Sequence, residues 1–125
     1  MRNDGRRELG RRGEDLAVSF LEGEGLEVLD RNWRDGPRGE LDVVAHDRAQ
    51  GTLVFVEVRT RRGALRGTAL ESVDARKVAR LRKLVPAWLD AHDLHGKVRL
   101  DVVAVQVDPR GGTDQHIRWI RGIGS

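Results

Sequence analysis

The sequence predicts an α/β fold in which two helices pack on a mixed sheet. Two observations carry this prediction: hydrophobic residues recur at helical spacing in two segments, and β-type segments alternate with them in the order α-β-β-β-α-β. Three strands joined by short turns, followed by a helical crossover to a fourth strand, require antiparallel and parallel pairing in one sheet. A chain of 125 residues is long enough for one core. We therefore expect a single domain over 1–125, with its core at about 6–107 and an extra edge strand at 116–122.

The first helix is predicted at residues 6–24. Asn3 or Asp4 can cap its start, and Gly25 can end it. Its apolar positions fall on one face: Leu9, Leu16, Ala17, Phe20 and Leu21.

Three β-type segments follow the first helix and are rich in β-branched and other apolar residues. They are LEVLDRNWR at 26–34, GELDVVAHD at 39–47 and TLVFVEVRTR at 52–61. The connections RDGPR and RAQG contain the glycine, proline and aspartate typical of turns, so we expect hairpins.

The second helix begins after Ser72 or Asp74, either of which can cap it, and ends near His92. Pro86 interrupts its pattern, which predicts a kink or two short helices. Its buried stripe consists of Val78, Leu81, Val85, Trp88 and Leu89. KVRLDVVAVQV at 97–107 is the fourth strand, and HIRWIRG at 116–122 is a short fifth strand.

Composition excludes several classes of function. The chain has no cysteine, so disulfides, thiolate zinc sites and cysteine nucleophiles are excluded and any metal must bind oxygen or imidazole. No stretch approaches the roughly 18 apolar residues of a membrane span, and the first ten residues are charged. We expect a cytoplasmic protein without a membrane partner.

The net charge of +3 is unevenly distributed along the chain. Residues 1–58 carry nine arginines and thirteen acidic residues, a net charge of −4, whereas residues 59–83 carry nine basic and two acidic residues, a net charge of +7. A solvated helix face explains such a basic run, and so does a phosphate-binding surface. The second explanation is attractive because the run begins directly after Glu57.

Glu57 and Asp42 are acidic residues inside otherwise apolar strands that we expect to be neighbours. Burying an unpaired charge costs several kcal/mol, roughly, so each needs a cation, hydrogen bonds or a cleft. Paired carboxylates with a backbone carbonyl suit Mg²⁺, which can then assist phosphodiester hydrolysis. Glu14 could point over the same end of the sheet. Spacing equally allows a purely structural ion network in which Glu57 pairs with Arg59.

Five segments together resemble the YraN family of bacterial proteins, over about Glu8 to Val105. They are GRRGEDLAVSFLEGEGLEVLDRNWR, GELDVVAHD, LVFVEVRTR, SVDARKVARL and VRLDVVAV. The family is similar to restriction-endonuclease-like PD-(D/E)xK nucleases and to archaeal Holliday-junction resolvases. The resemblance implies the same α-β-β-β-α-β core, a Mg²⁺ or Mn²⁺ cofactor and branched or structured DNA as partner, with a possible homodimer.

The resemblance also implies roles for individual residues. Asp42 and Glu57 match the two acidic metal ligands, Val58 offers its carbonyl, and Glu14 matches the helix-one glutamate of resolvase-type members. Arg59 stands where the superfamily has lysine, and Lys77 is a candidate to supply that lysine. The DNA-binding residues expected from the basic run are Arg61, Arg62, Arg66, Arg76 and Arg80.

An arginine side chain does not give up its proton in proteins, so a residue of this type at position 59 can stabilise charge but cannot accept a proton. Two functions therefore remain open from the sequence: a metal-dependent endonuclease acting on branched DNA, and a DNA-binding module with the same fold but weak or no catalysis. A structural protein whose acidic cluster only pairs with arginines is the third alternative.

Overall fold

A computed structural model describes residues 2–63, 73–110, 112 and 115–124. The helices are α1 (Arg2–Gly23) and α2 (Ala75–Ala91), and a short 3₁₀ turn covers Gly36–Arg38. The strands are β1 (Glu27–Arg34), β2 (Glu40–Asp47), β3 (Thr52–Arg62), β4 (Lys97–Val107) and β5 (Gln115–Ile120). The predicted α/β class and the α-β-β-β-α-β order with an extra C-terminal strand are confirmed.

The five strands form one sheet in the order β1-β2-β3-β4-β5. β1, β2 and β3 pair antiparallel as a meander, β3 and β4 pair in parallel, and β4 and β5 pair antiparallel. The parallel pair exists because α2 carries the chain back across the sheet between β3 and β4. β3 is therefore a central strand, hydrogen-bonded on both sides.

The two helices bury opposite faces of this sheet. On the α1 face, Ala17 and Leu21 pack against Val43, Val54 and alternate valines of β4. On the α2 face, Leu84 and Trp88 pack against a second set that includes Phe55, whose ring meets the indole of Trp88 edge to face at 5.6 Å. Because both faces are covered, the central strands read as continuous apolar runs, as the sequence of β3 shows.

The helix boundaries confirm some sequence expectations and correct others. α1 begins at Arg2, so Asn3 and Asp4 lie inside the helix and not ahead of it. The helix ends at Gly23, and Gly25, the residue expected to end it, follows with φ +95° and allows Leu26 to donate its N–H to the carbonyl of Leu21.

The cap of α2 is Asp74, whose carboxylate accepts the N–H of Lys77 at 2.9 Å. The other candidate cap, Ser72, lies outside the described residues. Of the two outcomes expected at Pro86, two short helices are wrong, because α2 is one helix from Ala75 to Ala91. Pro86 is exposed on its outer side, and buried Leu84 and Trp88 hold the helix to the sheet around it.

The connection between β1 and β2 also differs in detail from a simple hairpin turn. It contains the 3₁₀ turn, in which Arg38 donates its N–H to the carbonyl of Asp35. None of the helices in the described part of the chain is both long and apolar enough to cross a bilayer.

Candidate functional site

The candidate site lies where β2 and β3 separate. Their pairing runs from Asp47 opposite Thr52 to Val43 opposite Val56, whereas β3 stays paired with β4 for its whole length. Beyond the last pair, Val58 donates its N–H to the Oδ2 atom of Asp42 at 2.8 Å. A side-chain carboxylate thus takes the position that a backbone carbonyl of β2 occupies elsewhere in the ladder.

This hydrogen bond also fixes the direction of the carbonyl of Val58. The N–H and C=O of one strand residue point to the same neighbouring strand, since paired residues exchange both bonds. The carbonyl of Val58 is therefore directed toward β2 and Asp42, at the point where the β2–β3 ladder has opened.

Glu57 is buried beside this opening. Its register partner on β4 is Val102, which places Glu57 on the face of the sheet that α2 covers. It is 3% exposed, and its Oε1 atom lies 2.8 Å from Nζ of Lys77 in the first turns of α2. Asp42 lies beside Glu57, next to the last pair of the β2–β3 ladder, and the charge of Glu57 raises its pKa. Lys77 and Asp42 are thus both first neighbours of Glu57.

Glu14 approaches the site from α1 and is held by two residues of β1. Its Oε1 atom accepts hydrogen bonds from Nδ2 of Asn32 at 2.7 Å and from Nε of Arg31 at 3.2 Å. Arg31 also pairs with Asp15 at 2.6 Å. Glu14 is near enough to Asp42 for its charge to raise the pKa of that residue.

Asp42 is the carboxylate whose charge is least compensated. Burial and then the neighbouring charge of Glu57 raise its pKa from 3.8 to about 8, although the hydrogen bond from Val58 acts in the opposite direction. Among the described residues, Glu57 has Lys77 and Glu14 has Arg31 as ion-pair partners, but Asp42 has none. Two carboxyls in contact require a shared proton or a cation between them.

The site offers a divalent metal only a few side-chain donors among the described residues. In the described ranges, no group of three or more histidine or acidic side chains is placed to hold a metal ion. A metal here needs main-chain and water ligands besides Asp42 and Glu57, and the carbonyl of Val58 is directed suitably. Two carboxylates, one carbonyl and several retained waters fit Mg²⁺ or Mn²⁺, which bind oxygen and give up water reluctantly.

A cleft of about 440 Å³ opens onto Asp42 from the α1 side. It is lined by Leu9, Gly10, Glu14, Asn32, Glu40, Asp42, Val58, Thr60 and Arg61. Glu57 does not line it, since its side chain is enclosed on the α2 side. Solvent therefore reaches the acidic cluster through Asp42 and Glu14, and Arg61 supplies a cation at the border of the cleft.

The remaining basic residues expected at the site surround it at different distances. Arg59 is half-buried and lies two residues beyond Glu57 on the same face of β3. Arg66 lies outside the described residues. Three others are exposed to solvent: Arg62 at the end of β3, and Arg76 and Arg80 on α2.

Sequence reasoning missed the residues that hold Glu14. Asn32 has φ +53°, a left-handed conformation that asparagine tolerates better than most residues, and this turns its amide toward α1. An isolated asparagine in an edge strand gave no signal of this role.

A second buried carboxylate, Asp101 of β4, was also missed. It is 0% exposed. Its carboxylate accepts two hydrogen bonds from Arg99, one from Nε1 of Trp119 and one from the N–H of Gly122. The signal that singled out Glu57, one acid within an apolar strand, was present here as well. Its donors are all on β4 and around β5, which makes Asp101 a structural anchor for the C-terminal strand.

Comparisons with known proteins find relatives over nearly the whole chain. The model of the uncharacterised protein family UPF0102 matches residues 13–105, which include Glu14, Asp42 and Glu57. A UPF0102 protein of Beutenbergia cavernae is 50% identical over 117 residues, covering 93% of this chain and 95% of its own. A UPF0102 protein of Mycolicibacterium smegmatis is 47% identical over 120 residues, covering 95% and 94%. One from Mycobacterium tuberculosis is 46% identical over 119 residues, covering 94% and 92%.

Proposed function

The chain belongs to the UPF0102 family, as the predicted YraN resemblance implied, and we propose that it is a metal-dependent endonuclease that hydrolyses phosphodiesters in branched or structured DNA. The observation that carries the proposal is the juxtaposition of Asp42 and Glu57 at the opening of β2 from β3, where Asp42 accepts the N–H of Val58. This pair lacks one positive charge, and it adjoins a cleft bordered by an arginine.

In this proposal, Asp42, Glu57 and the carbonyl of Val58 would hold Mg²⁺ or Mn²⁺, and Glu14 would assist from α1. The ion supplies Lewis-acid stabilisation of a phosphate oxygen and lowers the pKa of a bound water. Arg31 and Asn32 hold Glu14 toward the cleft. Their contacts fix the position of this carboxylate before substrate arrives.

The lysine function of the related nucleases is assigned to Lys77. Its ammonium group lies 2.8 Å from Glu57, so it can orient a water or stabilise charge beside the acidic pair. Arg59 lies on the same sheet face and stays protonated, so its role is to stabilise phosphate charge. The exposed arginines Arg61, Arg62, Arg76 and Arg80 are assigned to the DNA backbone, as is Arg66.

Cleavage of a panel of Holliday junctions, flaps, duplexes and single strands tests this function. We expect wild-type protein to cut a branched DNA with Mn²⁺ or Mg²⁺ and to be silent in chelator. Asp42→Asn and Glu57→Gln should each reduce the rate by at least about 100-fold, since each removes a metal ligand. Glu22→Gln, which neutralises an exposed acid at the far end of α1, is the matched control and should cut normally.

One observation favours a second candidate, a DNA-binding module without catalysis. The acidic pair already carries one cation, Lys77, and the neighbouring position is occupied by an arginine that cannot accept a proton. This candidate predicts salt-sensitive DNA binding that survives Glu57→Gln, with no cleavage by any variant. Cleavage by wild type that Arg59→Lys increases would instead identify a weakened nuclease.

The assembly expected for a resolvase is a homodimer, because a two-fold junction requires two cuts. Sedimentation with and without junction DNA tests this part of the proposal. A protein that neither binds nor cuts any DNA in the panel would leave only the structural alternative, in which the acidic cluster serves stability.

A further inference from the structure

β5 extends a set of basic residues across the α2 face of the sheet. The strand registers place residues of β3, β4 and β5 in three successive rows across the sheet. The first row is Glu57, Val102 and Ile120, the second is Arg59, Ala104 and Arg118, and the third is Arg61, Gln106 and His116. We call the second and third rows together the basic rows. No acidic side chain belongs to them.

The second row presents two cations to solvent. Ala104, which lies between them, is 1% exposed, so solvent does not reach it. Arg59 and Arg118 lie two strands apart, which is roughly 10 Å between their Cα atoms, since neighbouring strands are about 4.8 Å apart. Arg118 is exposed and Arg59 is half-buried, so these two arginines are the accessible part of the row.

The basic rows start beside the acidic site. Arg59 is two residues from Glu57 along β3, a distance of about 7 Å, and it points to the same face. Arg61 of the third row borders the cleft that opens onto Asp42, so a phosphate strand held in that cleft would meet the basic rows next. Arg118 and His116 are exposed and can contact such a strand directly.

The charge of the basic rows is not cancelled by the acids of the described residues. Neither Arg59 nor Arg118 takes part in an ion pair in that part of the chain, and the nearest acid on this face, Glu57, is held by Lys77. Asp101 of β4 points to the opposite face, where it binds Arg99 and Trp119. Uncompensated cations in successive rows attract phosphate and fix the register of a nucleic acid.

We propose that the basic rows bind the phosphodiester backbone of one DNA strand next to the acidic site, with Arg118 as the principal new phosphate contact and His116 beside it. This inference rests on the proposed function for the identity of its ligand, but it concerns binding rather than hydrolysis. It makes β5, which lies outside the core shared with related nucleases, a part of the DNA surface.

A different role for Arg118 gives a contrasting expectation. Edge strands commonly carry charged residues because these prevent pairing with another sheet. In that role, loss of Arg118 would leave DNA binding unchanged, and only aggregation would increase.

The test is fluorescence anisotropy with a labelled four-way junction in chelator, which prevents cleavage, across a series of salt concentrations. Arg118→Gln is compared with Arg11→Gln, which removes the same charge from an exposed position on α1. We expect Arg118→Gln to weaken binding roughly three- to tenfold and to reduce the log–log salt slope by about 0.7 to 0.9, as for one lost phosphate contact. Arg11→Gln should match wild type in both.

Thermal melting of each variant shows that binding is compared between folded proteins. Equal affinity and equal salt slope for Arg118→Gln and wild type would overturn phosphate binding by the basic rows. If wild type binds the junction but never cuts it, the proposed hydrolysis fails and the role of the basic rows is still tested by these slopes. If wild type cuts but Arg118→Gln binds unchanged, the role of the basic rows fails alone, and absence of any DNA binding refutes both.

Discussion

Asp42→Asn should make the metal-free protein more stable at alkaline pH. Asparagine has nearly the same shape as aspartate, so its carbonyl oxygen can still accept the N–H of Val58 while its amide donates to Glu57. The substitution removes only the negative charge that burial and Glu57 make unfavourable. A change that normally weakens an ionic site is therefore expected to strengthen the fold.

The magnitude follows from the raised pKa of Asp42. Because its pKa rises from 3.8 to about 8 on folding, the folded state favours the protonated acid. That contribution is fully present below pH ~4 and is lost as the pH rises through about 8. Over about four pH units it amounts to on the order of 5 kcal/mol, and the proton is shared with Glu57.

Chemical denaturation at pH 5, 7 and 9 in chelator measures this effect. We expect wild type to lose about 2–5 kcal/mol of unfolding free energy between pH 5 and pH 9, and Asp42→Asn to lose much less. Asp101→Asn is the matched control, and its expected change in unfolding free energy has the opposite sign to that of Asp42→Asn. Its carboxylate is satisfied by four donors, so the amide should destabilise the protein by about 2–4 kcal/mol at neutral pH.

Metal ions extend the same experiment. A divalent cation in 100-fold excess over its Kd stabilises the folded state by about 2.7 kcal/mol, so Mg²⁺ or Mn²⁺ should restore stability to wild type at pH 8–9 and not to Asp42→Asn. The reasoning is refuted if wild-type stability is constant or rises from pH 5 to pH 9, or if Asp42→Asn is the less stable protein at pH 9.

Two further substitutions test the neighbours of the acidic pair. Lys77→Met leaves Glu57 buried without its cation and should lower the unfolding free energy by about 2–4 kcal/mol, measured by denaturation. Adding Asp42→Asn to this variant should recover part of the lost stability. An unchanged unfolding free energy in Lys77→Met would show that Lys77 does not stabilise Glu57. Both Asn32→Ala and Asn32→Gly lose the hydrogen bond to Glu14, but glycine accepts φ +53° without strain. The unfolding free energy of the alanine variant should therefore be about 1 kcal/mol lower than that of the glycine variant, which thermal melting detects as a lower melting temperature. Equal melting temperatures for the two variants would contradict backbone strain at this position.

Much of the fold could be predicted because local patterns and burial agree. The apolar runs of β3 and β4 are buried on both faces, so their hydrophobicity identified them as central strands without any tertiary information. Two short helices around Pro86, one of the two predicted outcomes, are wrong because the rule for proline ignores packing. Leu84, Val85 and Trp88 are buried against the sheet around the proline and hold one helix together.

The site was predictable only where its residues lie on adjacent strands. A short connection makes β2 and β3 neighbours, so Asp42 and Glu57 could be paired from the sequence. The contact of Lys77 with Glu57 depends on how α2 crosses the sheet, and the position of Arg118 depends on the register of β5, a strand paired through β4. Neither relation is encoded in sequence spacing, because each is set by packing between distant segments.

The charges around the opened strands explain why one residue governs the properties of the whole site. Glu14 and Glu57 each have a cation of the chain beside them, so Asp42 carries the charge that remains uncompensated in the described structure. At low pH a proton can occupy the shared position, and near pH 8 that proton leaves. A divalent cation at this position would neutralise the pair and add positive charge beside the basic rows, which favours a phosphate there. Binding of metal and binding of DNA should therefore strengthen each other, and Asp42→Asn should abolish that coupling even where DNA binding itself survives.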